Sequence, residues 1–293
     1  MSYQRRPRRV LNNPSMGPPP PKQPPTPPAG AVTASKIAKI IDEADIPYFL
    51  WGWLILTLHV TEIKVPEIEF VIPDDKLEAA TNALVAAGYP QCESETCVEL
   101  HIDRTAGTGE GGNEGGLELL HSEYRFHPVA GAHFHHFQDE RKNVTELIAL
   151  LPKNDIAPWL PELKVGSPAQ EDPDFMLSTD PSLPKSRGGA WGPWTELHPV
   201  KIQNRASYTE SFLWLSCRDI DRDNNLGMRW MAMWRRLLDV EMWVQMLREK
   251  WHPIWGDGMV SIVELLKVRE KMIKDGELPK DLPKVVVEDY AGR

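Results

Sequence analysis

Residues Ile46–Tyr89 read IPYFLWGWLILTLHVTEIKVPEIEFVIPDDKLEAATNALVAAGY, and their pattern sets the fold. Tyr48–Trp51 is a short apolar run with the character of a buried strand, Gly52 turns the chain, and Trp53–Val60 is apolar at helical length. EIEFVI (Glu67–Ile72) alternates charged and apolar residues, as a half-buried strand does. Pro73-Asp74-Asp75 then opens a helix with Leu77, Ala80, Ala83, Leu84 and Ala87 along one side, stopped by Gly88. Glu67 and Glu69 are two apart on a strand and so share a face. Two acids on a strand face after a glycine turn are one way to hold Mg²⁺ and a nucleoside triphosphate.

Outward from this stretch, Ile37, Ile40, Ile41 and Ala44 have helical spacing, with a start near Thr33 or Ser35. Cys97–Arg104 (CVELHIDR) alternates like a strand, with Asp103 on its polar side. The glycine-rich Thr105–Gly116 lacks the spacing and the lysine of a phosphate loop and reads as a connection between strands. A strand is expected through Ala132–Phe137, a helix near Val144–Leu151, and a long irregular connection from Pro158 to Pro199. Leu213–Trp251 is helical by pattern, with Trp230, Trp234, Leu237, Leu238, Glu241 and Gln245 on one strip, and Val260–Lys274 forms another helix. The expected class is α/β (α+β), a mixed sheet flanked by helices and followed by a helical segment. The expected divisions are a basic, proline-rich tail at 1–31, an α/β domain at 32–165, a linker at 166–198, helices at 199–275 and a tail at 276–293.

Composition narrows the function classes. The chain has 293 residues, 41 % of them hydrophobic, which is ample for a large core. Its eleven tryptophans imply a bulky core or a binding surface. The net charge of −9 understates the acidity of the body, because residues 1–30 carry Arg5, Arg6, Arg8, Arg9 and Lys22 and no acid. An acidic body is a poor non-specific binder of nucleic acid, which is held largely through its phosphates. The tail is the place for a protein partner that reads polyproline, or for a nuclear import signal in its arginines. Three cysteines argue against a disulfide framework, and Cys92 and Cys97 have no second pair to complete a zinc site. Neither a signal peptide nor a membrane span is legible, so a soluble protein of the cytoplasm or nucleus is expected.

In its order of helix, strand, glycine turn, helix, carboxylate strand and helix ending AAGY, the segment 36–89 resembles the nucleotidyltransferase-fold domains of the aminoglycoside nucleotidyltransferase and toxin type. It resembles more closely a group of fungal proteins of the same layout. Trp51-Gly52, Pro66–Asp75 and Leu77–Tyr89 carry the resemblance, with echoes at His133–Phe137, Leu150–Leu163 and Trp214–Asn224. It implies Gly52 beside the phosphates, Glu67 and Glu69 as metal ligands, and Asp103 as a third carboxylate on a neighbouring strand. Bound Mg²⁺ would assist transfer of a nucleoside monophosphate to an acceptor hydroxyl. Trp53 stands where the family places a small residue that contacts phosphate. The acid pair is Glu-x-Glu where the family has Asp-x-Asp, which moves a ligand oxygen by about 1.5 Å, and a misplacement of ~1 Å can cost ~100-fold in rate. The resemblance therefore implies a catalytically degenerate relative that keeps metal-dependent nucleotide binding.

Two other readings stand beside it. One is a non-enzymatic interaction module using the tryptophan-rich helices and the proline-rich tail. The other is a cupin-like metal protein built on histidine, since His121, His127, His133, His135 and His136 lie close together and His133 and His135 share a strand face. Asp219–Asp223 begins like a calcium loop but has Asn224 in place of glycine and Trp230 in place of glutamate.

Overall fold

A computed structural model describes residues 30–59, 67–93, 128, 130–139, 144–184, 192–220, 226–237, 247, 249–256, 259–260 and 262–282. Its centre is a six-stranded mixed sheet, so the α/β class expected from the sequence stands. The strands are β1 (Phe49–Trp51), β2 (Glu67–Ile72), β3 (Ala132–Asp139), β4 (Val144–Pro152), β5 (Phe175–Leu177) and β6 (Lys201–Gln203). They lie in the order β3-β4-β2-β1-β6-β5. β2 is antiparallel to β1 and parallel to β4, β6 runs parallel to β1, and β3 and β5 close the two ends antiparallel to their neighbours. A second, two-stranded sheet pairs β7 (Trp255–Gly256) with β8 (Met259–Val260).

Seven α-helices are present among the described residues: α1 (Ala31–Glu43), α2 (Trp53–His59), α3 (Leu77–Ala86), α4 (Lys153–Ile156), α5 (Arg205–Asp219), α6 (Leu226–Leu237) and α7 (Ile262–Asp275). None is long and apolar enough to cross a membrane. α1 and α3 pack side by side and α3 lies on β4, while α5 packs against α6 and α7. α2 bridges the layers, touching β2 and α6. One apolar core runs through the whole assembly, from Ala31 in α1 to Leu282 beyond α7. Trp51, Trp53, Trp194, Trp230 and Trp251 are among its largest side chains, so these tryptophans serve packing.

Three expectations are corrected. Val144–Leu151 is strand β4 and not a helix. Leu147, Ile148, Leu150 and Leu151 suit a helical stripe equally well, but all four are buried because the strand is covered on both faces. The stretch 166–198 contributes β5 to the sheet, and the stretch 199–275 contributes β6 before its helices begin. The helical run beginning near Leu213 is broken after α5, where Asp219 and Ile220 meet Gly227 of α6: a Cβ on Gly227 would sit 2.8 Å from the Asp219 carbonyl oxygen. The expected strand at Cys97–Arg104 and the residues Asp103, His121 and His127 lie outside the described residues.

Candidate functional site

Register places the acid pair. Glu69 stands opposite Trp51 on β1 and Ala149 on β4, and Glu67 stands opposite Leu147. Side chains in register share a sheet face, so Trp51, Glu67, Glu69, Leu147 and Ala149 form one surface. Continuing outward, His133 aligns with Ala149 and His135 with Leu147, on the same face at the sheet edge. The strand neighbouring the acid pair thus offers leucine and alanine at the register positions of the two glutamates.

This face is covered by α5 and α6. Trp51 packs against Tyr208 and Phe212 of α5 and Trp230 of α6, with ring centroids 5.5, 5.2 and 6.4 Å away. Beside this aromatic cluster Arg229, wholly buried, reaches the acids from α6. Its Nη2 donates to Glu69 at 2.9 Å (Oε1) and 2.8 Å (Oε2), and to Glu67 Oε2 at 3.2 Å. Glu67 and Glu69 are only 3 % and 2 % exposed. Burial alone would push the Arg229 pKa down, but the charges of Glu69 and Glu67 outweigh it and hold the guanidinium above its ordinary value.

The glycine turn closes over the same group. Gly52 adopts φ +73°, and a Cβ there would lie 1.7 Å from Glu69 Oε2, so the carboxylate fills the space that a side chain at 52 would need. The Gly52 carbonyl accepts a 2.5 Å hydrogen bond from the Tyr208 hydroxyl. Burial first, and the nearby Glu69 charge second, raise the Tyr208 pKa well above its ordinary value, against the opposing effect of Arg229. Trp53 is fully buried as the first residue of α2.

The structure thus brings together Gly52, Glu67 and Glu69 and sets Trp53 next to them. It adds Arg229, Tyr208 and Trp230, which sequence reasoning missed. The available signal was physical: two acids on a buried strand demand a cation, and the arginines of a tryptophan- and methionine-rich helix are where to seek it. Mg²⁺ takes near-ideal octahedral oxygen ligation and keeps several waters. Here both acids accept from a guanidinium, the adjoining strand adds Leu147 and Ala149, and aromatic rings cover the face. This donor set does not fit Mg²⁺.

No protein-family model matches the chain, and no curated protein matches it. Among solved structures it is similar to the solution structure of the antibiotic-resistance factor ANT(2'')-Ia, with 12 % identity and a TM-score of 0.37, over 84 % of this chain and 92 % of that one.

Proposed function

We propose that this is a nucleotidyltransferase-like protein without transferase activity, in which the acid pair serves as the internal counter-charge of Arg229. The observation that carries the reading is the seating of a fully buried guanidinium between Glu67 and Glu69, within 3.2 Å of both. A divalent ion at this pair would have to displace an arginine that has no exposed surface, and taking a charged group from its partners inside a protein costs several kcal/mol. A nucleoside triphosphate at the Gly52 turn would meet the Glu69 carboxylate with its phosphates, a like-charge contact. The aromatic face beside the pair is turned inward as core.

The test is thermal shift and calorimetry on the full chain with ATP, GTP, CTP and UTP, each with Mg²⁺, Mn²⁺ or EDTA. The expected result is no saturable, metal-dependent stabilisation. Stabilisation that requires Mg²⁺ or Mn²⁺ and disappears in a folded Glu69→Gln variant would overturn the proposal and restore the pair as metal ligands.

A further inference from the structure

Two strands away from the acid pair, the same sheet face ends in a different set of donors. The Cys92 amide donates to the His133 carbonyl at 2.9 Å, and Gln91 bridges Phe134 in antiparallel sense. Residues 91–92 therefore run along the outer edge of β3, with Cys92 opposite His133 and on its face. His135, two residues further along β3, points to that side as well. The imidazoles of His133 and His135 meet edge to face, with centroids 5.5 Å apart. The neighbouring His136 belongs to the other face, where its ring packs on Tyr89 at 5.3 Å.

The outcome is a thiol and two imidazoles whose ligating atoms all lie within 4.8 Å of one another. We propose that Cys92, His133 and His135 form a binding site for a zinc-class divalent ion. Zn²⁺ takes nitrogen at about 2.0–2.1 Å and sulfur at about 2.3 Å in tetrahedral array. Ligand atoms around such an ion stand roughly 3.3–3.8 Å apart, so closing the triad requires movements on the order of 1 Å, within reach of side-chain torsions. The donors are borderline-soft nitrogen and sulfur, which suit zinc, cobalt or copper and not magnesium or calcium. Three protein ligands leave a fourth position for water or an outside ligand. Cys92 and His135 are half-buried while His133 is buried, so the site is anchored in the sheet and open at its rim. Binding would release the thiol proton, leaving a thiolate on the metal.

The site is separate from Glu67 and Glu69 by two strand spacings, about 10 Å, and does not depend on how that pair is read. Its test is a Co²⁺ titration of the reduced, chelator-stripped full chain, followed by Zn²⁺ competition. One equivalent of cobalt should bind with a thiolate-to-cobalt charge-transfer band and the intense visible bands of tetrahedral coordination, and zinc should displace it. Cys92→Ser should abolish the charge-transfer band. His135→Gln, at a half-exposed position, should keep the fold by circular dichroism and weaken zinc at least ~100-fold, beyond the 10–100-fold of an outer-shell change. Three results would each overturn the site: no thiolate band in the unaltered chain, a band that survives Cys92→Ser, or zinc affinity in His135→Gln within about threefold of the parent.

Discussion

Replacing Arg229 by methionine tests the central ion group directly. Methionine retains much of the apolar stem and volume but leaves Glu67 and Glu69, both almost fully buried, without their guanidinium. Removing one member of a buried ion group typically costs about 3–5 kcal/mol, since the remaining charge stays desolvated and unpaired. For a chain of 293 residues, unfolding with about 2.1 cal/mol/K of entropy per residue, that corresponds to a melting point lower by roughly 5–8 °C. The assay is urea denaturation followed by tryptophan fluorescence, which the buried Trp51 and Trp230 beside the site should report. The triple change Glu67→Leu/Glu69→Leu/Arg229→Met removes all the charges together and should recover to within about 2 kcal/mol of the parent, because apolar replacement of a whole buried ion group is often neutral or better. A loss below about 1 kcal/mol in Arg229→Met would mean that water reaches the acids and that the site is not closed.

Other substitutions probe neighbouring features. Gly52→Ala combines a positive φ with a Cβ driven into the Glu69 carboxylate, and should cost about 2–5 kcal/mol in the same denaturation assay. His59 is fully buried with Nε2 3.1 Å from the Gln203 carbonyl, and burial lowers its pKa from 6.5 to about 4. Its folded-state pKa is depressed, so the neutral ring stabilises the fold above pH 6.5 and that stabilisation drains away as pH falls toward 4. Relative to His59→Phe, the parent should lose up to roughly 3 kcal/mol across this window, measured by denaturation at stepped pH. Asp219, 1 % exposed, accepts from Trp230 Nε1 at 2.7 Å and from both Nε and Nη2 of Arg218 at 2.7 Å. Asp219→Ala should cost about 2–4 kcal/mol by stranding the indole donor at the α5–α6 corner, visible as a melting-point loss.

What was legible in the chain was local. β1, the Gly52 turn, α2, β2 and α3 follow from period and punctuation within forty-odd residues, and Glu67 and Glu69 share a face as their spacing requires. β4 was illegible because a strand buried on both faces loses its alternation and becomes an apolar run. β5 and β6 are three residues each, too short for any period, and exist because the sheet supplies partners from elsewhere in the chain. The histidine face of β3 could be read from spacing, but Cys92 joins it through the bridge at Gln91 and its own amide bond to His133, which no sequence pattern announces. Arg229 was hidden because an arginine in a helix ordinarily snorkels to water, and α6 has three, at 229, 235 and 236. Its burial depends on acids 160 residues earlier.

The pairing of β1 with β6 has a consequence for how the molecule comes into being. Leu50 is held beside Ile202, and Arg229 reaches Glu69 across a still longer stretch of chain. During synthesis the amino-terminal strands leave the ribosome well before their neighbour β6 or the helices that roof them. Until then β1 is an open edge, Trp51 is bare, and the two glutamates are solvated anions beside it. Such an unfinished half exposes an unpaired strand edge and an apolar face, the features that invite aggregation or chaperone capture. A chain cut before β6 would remain permanently in that state, and one cut between α5 and Arg229 would close the β1 edge but leave the two glutamates without their guanidinium.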